Sequence, residues 1–192
     1  MLFELILEKY CIMDKITILD KRFRICTTAA QIDEAVERVA AQLNKDMENV
    51  DTPIFLSVLS GSFMFAADLV RKTNFQSDMM FIKLASYEGT SSTGKVQQIM
   101  GLTQSVAGRT VIVIEDIVET GNTIEEMVRI LKDAGAADIR ICTLLLKPDA
   151  YKKEIKIDYA ALQIPNDFIV GYGLDYNQLG RQYKDIYVLD EE

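Results

Sequence analysis

The sequence predicts a single α/β domain built on a largely parallel sheet, and three observations lead there. Short β-branched apolar runs alternate along the chain with segments of helical period. The run TVIVIE (110–115) is apolar without a break up to its carboxylate, as a strand buried on both faces must be. With 192 residues, 49% of them apolar, the chain has the length of one domain and the means to bury a sizeable core.

The elements follow in order. KITIL (15–19) reads as a short strand. Thr28 and Gln31 have the spacing of a capping box, in which each side chain satisfies the other's free N–H at a helix start. After it Ile32, Val36, Val39, Leu43 and Met47 recur at helical spacing. IFLSVL (54–59), following Pro53, is short and apolar enough for a buried strand, and a helix is expected from Phe63 to Arg71. MMFIKLASY (79–87) and TVIVIE are the next strands. Ile124 to Ala134 is helical and stops at Gly135, which can take the left-handed conformation of a C′ residue. IRICTLLL (139–146), YAALQI (159–164) and DIYVL (185–189) complete the strands. No repeat or linker interrupts this order, so residues 13–192 form one expected domain. YEGTSSTGK (87–95) reads as a mobile loop over a site, or as a solvated hairpin tip.

Composition removes several classes of function. Lys plus Arg number 21 against 29 Asp plus Glu, a net charge of −8, whereas nucleic acids and anionic membrane surfaces call for a basic face. The chain has no histidine, which removes Ser-His-Asp and Cys-His catalysis and histidine metal sites together. Proton transfer must fall to carboxylates, lysines or tyrosines. Cys11, Cys26 and Cys142 form no CxxC pair, so neither a zinc site nor a disulfide framework is expected, and a reducing cytoplasm is the expected compartment. The N-terminal apolar run is interrupted by Glu4, Glu8 and Lys9 and is too short to span a bilayer. Residues 1–12 read as an extension ahead of a start at Met13, or as an amphipathic turn docked on the domain or on a partner.

VIVIEDIVETGNTI (111–124) concentrates the chemistry. Glu115 and Asp116 are adjacent carboxylates at a strand terminus, where side chains of a parallel sheet reach the ligand crevice. They suit a sugar diol or a hydrated Mg²⁺, which prefers carboxylate oxygens and retains waters. Glu119 follows, and Thr120, Gly121, Asn122 and Thr123 lead into a helix whose free N–H groups and dipole attract phosphate. A phospho-acceptor carboxylate pair, and a helix cap without a ligand, are the competing readings of this segment alone.

The segment resembles the thirteen-residue phosphoribosyl-pyrophosphate (PRPP) signature of type I phosphoribosyltransferases. Four further blocks in the same order extend the resemblance over about residues 14–190 and place it in the hypoxanthine (guanine) branch: LSGSFMFAADL (59–69), Ser86-Tyr87, LLLK (144–147) and IPNDFIVGYGLDYNQLGR (164–181). What it implies is a mostly parallel sheet flanked by helices, with a small hood formed by N- and C-terminal segments. It implies transfer of the phosphoribosyl group from PRPP to hypoxanthine or guanine, giving nucleoside monophosphate and pyrophosphate, with Mg²⁺ as cofactor and a homodimer or homotetramer as the assembly. A xanthine-preferring enzyme is the nearest alternative, and a PRPP-sensing regulator a more distant one.

Residue by residue, the resemblance assigns the ribose hydroxyls and Mg²⁺ to Glu115 and Asp116, and the 5′-phosphate to Thr120 through Thr123. Ser60-Gly61 matches the pyrophosphate loop, for which the family uses a cis peptide, and Arg181 binds pyrophosphate. Lys147 donates to the purine O6, Phe168 stacks on the base, and the backbone of Ile169 reads the purine edge. Asp175 lies beside the purine and holds a second Mg²⁺, Ser86 and Tyr87 close a flexible loop, and Glu119 is the general base. Two positions depart from the commoner pattern. Ser60 stands where many members carry lysine, and Glu119, where aspartate is more frequent, reaches one methylene further.

Overall fold

The computed structural model describes residues 15–86 and 96–190. Along them run β1 (Lys15–Ile18), β2 (Lys21–Thr27), α1 (Ala29–Asp46), β3 (Ile54–Leu59), α2 (Phe63–Lys72), β4 (Asp78–Ser86) and β5 (Val96–Met100). Then come β6 (Thr110–Val118), α3 (Asn122–Asp133), β7 (Asp138–Leu146), β8 (Tyr159–Gln163), β9 (Ile169–Val170) and β10 (Ile186–Leu189). The expected N-terminal extension, 1–12, and the loop 87–95 lie outside the described residues.

The strands sort into two sheets. The larger has the order β5-β4-β3-β6-β7-β8, parallel from β4 to β8, with β5 antiparallel at the edge. α1 and α2 cover one face, where Ile32, Val36, Phe65 and Leu69 pack with Phe55, Ile112 and Leu144. α3 covers the other through Ile124, Met127 and Leu131 against Leu56, Val113 and Ile141. Burial on both faces accounts for the largely apolar character of β3, where only Ser57 is polar, and of β6 up to Glu115. The smaller sheet, β1-β2-β10-β9, is antiparallel and joins the two ends of the described chain into the hood.

Local chemistry explains the helix ends. The capping box forms, with Gln31 Oε1 accepting from the Thr28 N–H at 2.9 Å and Thr28 Oγ1 accepting from the Gln31 N–H at 3.4 Å. α3 closes in a Schellman turn: Gly135, with φ +80°, donates its N–H to Lys132 O at 3.0 Å, and Ala136 donates to Leu131 O at 3.0 Å. α3 starts two residues earlier than its apolar period suggests, because Asn122 and Thr123 belong to its first turn.

Three strands escaped the sequence reading. β9 has two residues and β5 follows a polar tract. β2 alternates Phe23 and Ile25 with Arg22 and Arg24, a strand pattern masked by its charges. Asp185, expected to open the last strand, instead turns its buried carboxylate to the N-terminus of α1, where Oδ1 accepts from the Ala29 N–H at 2.7 Å. Among the described residues no helix is long and apolar enough to cross a membrane, and Cys26 and Cys142 are free thiols.

Candidate active site

Sheet register opens the crevice. β3 pairs with β6 only as far as Ser57 opposite Ile114. Yet β3 continues beside β4 to Leu59 opposite Lys83, and β6 continues beside β7 to Val118 opposite Leu146. The sheet therefore splits between β3 and β6 at its C-terminal edge. This is also where the strand order reverses, the point at which α/β sheets bind ligands. Glu115 and Asp116 lie within β6, just past the split, rather than at its end, which is three residues later than the apolar run suggests.

A cavity of about 250 Å³ occupies the split. It is lined from one side by Ser60 and Gly61, from below by Glu115, Asp116 and Thr123, and from the hood by Asp175 and Arg181. These three stretches of chain, distant in sequence, thus converge on one pocket. The Leu59–Ser60 peptide is cis, as the resemblance implies. Gly61 is a steric necessity: a β-carbon there would stand 1.5 Å from Asp116 Oδ2.

The two carboxylates are costly where they are. Burial pushes Glu115 well above the ordinary carboxylate range, and the charge of Asp116 adds to the effect. Burial also lifts Asp116 from 3.8 to about 6, against the lowering effect of the Ile117 N–H at 2.9 Å and of Arg181. Glu115 Oε2 is buried and has no hydrogen-bond partner in the protein. An orphaned, buried carboxylate oxygen beside a second carboxylate fits a divalent cation or a diol, either of which supplies what the protein withholds. No three acidic or sulfur side chains among the described residues converge tightly enough to hold an ion alone. Such a site suits Mg²⁺, which takes one or two carboxylates and completes its shell with water and substrate phosphate.

The N-terminus of α3 flanks the pocket. Gly121 is its N-cap, with φ +86°, and no side chain caps the helix. A β-carbon on Gly121 would lie 2.6 Å from the Tyr151 ring, so only glycine brings the chain close enough to turn here. The first-turn N–H groups that follow have no intrahelical acceptor, which makes them available to an anion. Thr120 and Asn122 are exposed and Thr123 is half-buried at the cavity wall.

At the ends of β6 and β7 the Lys147 ammonium, buried to 6% exposure, forms an ion pair and hydrogen bond with Glu119 Oε1. The Glu119 side chain itself is about half exposed, at 49%. On the hood, Arg181 Nη2 meets Asp175 Oδ1 at 2.6 Å and Nη1 donates to Gly173 O at 2.7 Å. Ile169 is buried. Phe168 is 44% exposed and stands against Phe23 and Tyr176, with ring centres 6.0 and 5.8 Å away, outside the cavity that holds the carboxylates. Ser86 ends β4, and Tyr87 lies outside the described residues.

The sequence reading missed Gly173, whose φ is +99° and whose β-carbon, if present, would stand 2.0 Å from the Gly61 carbonyl oxygen. The Gly-Tyr-Gly triplet 171–173 was the available signal for a tight turn.

Residues 28–177 match the phosphoribosyl transferase domain. The chain is 39% identical over 170 residues to a hypoxanthine-guanine phosphoribosyltransferase of Streptococcus pneumoniae, spanning 88% of this chain and 94% of the relative. A Staphylococcus aureus protein of the same name is 36% identical over 169 residues, with the same two shares covered. Among solved structures, a hypoxanthine phosphoribosyltransferase from Staphylococcus aureus superposes with a TM-score of 0.82 at 36% identity, covering 87% of this chain and 91% of that one. A hypoxanthine-guanine phosphoribosyltransferase from Bacillus anthracis gives 0.82 at 34% identity, covering 86% and 98%.

Proposed function

The chain belongs to the phosphoribosyl transferase family, in its hypoxanthine-guanine branch, and from that premise we propose how its residues divide the work of transferring the 5-phosphoribosyl group of PRPP to a 6-oxopurine. The products are the purine nucleoside 5′-monophosphate and pyrophosphate.

One observation carries the 6-oxopurine assignment. Lys147 and Glu119, 28 residues apart in sequence, meet as donor and acceptor at the ends of neighbouring strands. O6 and N7 lie side by side on one edge of the purine. Lys147 donates to O6, and its positive charge disfavours a 6-amino group there. Glu119 accepts the proton from N7 as N9 attacks C1′ and the bond from C1′ to the pyrophosphate oxygen breaks. The backbone of Ile169 reads the opposite edge, and Phe168 on the hood supplies a face for the base. Because Phe168 stands outside the carboxylate cavity, purine and ribose phosphate occupy adjoining compartments.

The remaining groups hold PRPP. Thr120 to Thr123, the loop that leads into α3 and the start of its first turn, takes the 5′-phosphate. Glu115 and Asp116 take the ribose 2′- and 3′-hydroxyls. Ser60-Gly61 and Arg181 take the pyrophosphate, and Ser86-Tyr87 cover the site. Glu115 and Asp116 would hold one Mg²⁺ and Asp175 a second, which when bound neutralise charge on the leaving pyrophosphate. Arg181 adds fixed positive charge on the same side and is held in place by Asp175. For assembly we carry a homodimer or homotetramer: of the stretch Phe63 to Phe65, Phe63 is exposed at 40%, Met64 is half-buried and Phe65 is fully buried, so contact area comes from Phe63 and part of Met64. We place the enzyme in the cytoplasm, on the reduced state expected of its scattered thiols.

The test is product formation from PRPP and Mg²⁺ with hypoxanthine, guanine, xanthine and adenine supplied separately. Nucleotide from hypoxanthine or guanine and none from adenine is expected. Dominant turnover of xanthine would move the assignment to a xanthine enzyme, and tight PRPP binding without transfer to any base would favour a sensor. Glu119→Gln should lower turnover by roughly 10²-fold or more, the usual weight of a positioned general base, with PRPP KM little changed. Steady-state kinetics decide this, and unaltered turnover would remove Glu119 from the base role.

A further inference from the structure

We propose that Tyr172 is a positioning residue for the pyrophosphate end of the site, acting through Asp68 to hold a two-residue turn against Gly61. The proposal rests on the phosphoribosyl-transfer reading above.

The turn is defined by its hydrogen bonds. Gly171 and Leu174 bridge each other, with N–H···O bonds of 3.0 Å in both directions. Tyr172 and Gly173 are therefore its central residues, and both have positive φ, 47° and 99°. That is the pattern of a type I′ turn, whose central positions favour glycine, asparagine and aspartate. A tyrosine at the first of them is placed against its own backbone preference, so its side chain must be held by something else.

Asp68 holds it. The Tyr172 ring is buried, and its hydroxyl donates to Asp68 Oδ2 at 2.6 Å. Burial raises the Tyr172 pKa, so the hydroxyl remains a donor throughout the working range. Asp68 sits on α2, the helix that begins directly after the Ser60-Gly61 loop. The backbone of the turn is tied to the hood as well: the Tyr172 N–H donates to Tyr183 O at 2.8 Å and the Gly173 N–H to Arg181 O at 3.0 Å.

The other side of the turn meets the site at two points. Gly173 O accepts from Arg181 Nη1 at 2.7 Å, orienting the guanidinium. The Gly173 α-carbon packs so closely on the Gly61 carbonyl that no β-carbon fits between them. One hydrogen bond thus clamps α2, which carries the pyrophosphate loop, to the turn that aims Arg181. Neither Tyr172 nor Asp68 lines the cavity. Their effect reaches the ligand through Gly61 and Arg181.

The experiment measures pyrophosphate binding by calorimetry in Mg²⁺, together with steady-state kinetics, in Tyr172→Phe, Asp68→Ala, Asp68→Asn and the double variant Tyr172→Phe/Asp68→Ala. Tyr172→Phe removes only the hydroxyl. It should weaken pyrophosphate and raise the PRPP KM by about tenfold, the scale of one hydrogen bond to a charged group, while the hypoxanthine KM moves less than about twofold. Asp68→Ala should match it, the double variant should be no worse than either, and Asp68→Asn, which keeps an acceptor oxygen, should recover most of the affinity. A Tyr172→Phe protein that melts earlier but binds pyrophosphate as the native chain does would overturn the proposal, as would an equal rise in both KM values. If Tyr172→Phe does not fold, Asp68→Ala decides alone, and native pyrophosphate affinity in it overturns the proposal. A native chain that binds pyrophosphate but transfers to no purine sinks the reaction assigned above. The calorimetric comparison still measures the clamp in that event.

Discussion

Gly61→Ala is expected to cut kcat/KM by about 10²-fold or more while the protein still folds, because a misplacement of about 1 Å at a reacting centre costs that much. The new β-carbon would stand 1.5 Å from Asp116 Oδ2 and 2.5 Å from its Cγ, so one of the two must move by more than that margin allows. What it meets first is the end of a short side chain, and the core beneath is untouched. The structural penalty therefore falls on the site. Gly173→Ala makes a useful contrast: its β-carbon would meet the backbone carbonyl of Gly61 at 2.0 Å from a φ of +99°, so backbone must give way and the hood with it. A thermal midpoint within a few degrees of native, with kinetics collapsed, is the result expected for Gly61→Ala. Native kinetics in that variant would show that Asp116 does not need its present position.

Glu115→Gln is expected to move stability and function in opposite directions. In the free protein Glu115 is a buried carboxylate with an orphaned oxygen beside Asp116, so neutralising it removes a desolvation cost and a repulsion. The midpoint of the ligand-free protein near neutral pH should rise by roughly 2–4 °C, as about 1 kcal/mol gives in a chain of this size. PRPP affinity in Mg²⁺ should fall by about tenfold or more, the weight of a charge-assisted contact. Differential scanning calorimetry and equilibrium PRPP binding read the two effects separately. A midpoint that falls together with affinity would mean that Glu115 is a structural acid with a partner of its own.

The neighbouring Asp116 gives this pair a pH signature. Its pKa is raised from 3.8 unfolded to about 6 folded, so the folded state holds the proton more tightly. The contribution to stability is fully present below the unfolded value and is lost as pH rises through about 6. A cation or diol needs the ionised form, so PRPP with Mg²⁺ should bind more tightly as pH is raised across the same window. Ligand binding is thus strongest where the empty site is least stable, which is the expected state of preorganised charge.

Much of this could be read along the chain. The parallel sheet followed from the unbroken apolar runs, α1 from its capping box and stripe, and the end of α3 from Gly135, because each depends on neighbours within a few residues. Glu115, Asp116 and the Thr120–Thr123 turn were legible for the same reason: one contiguous segment carries them. β2 was hidden by Arg22 and Arg24, whose charges are tolerated because that strand has one face on solvent.

Tertiary structure decided the rest. Nothing local in Gly173 announces that it must touch Gly61, more than a hundred residues away, since the demand for a bare α-carbon arises only when the hood closes on the pyrophosphate loop. The meeting of Lys147 with Glu119, of Tyr172 with Asp68 and of Asp185 with the N-terminus of α1 depends likewise on which strands lie side by side. The early loss of pairing between β3 and β6 belongs here too. Side-chain pattern specifies which faces are buried, but where two strands part is settled by the packing of everything around them, and at that parting the carboxylates find their cavity.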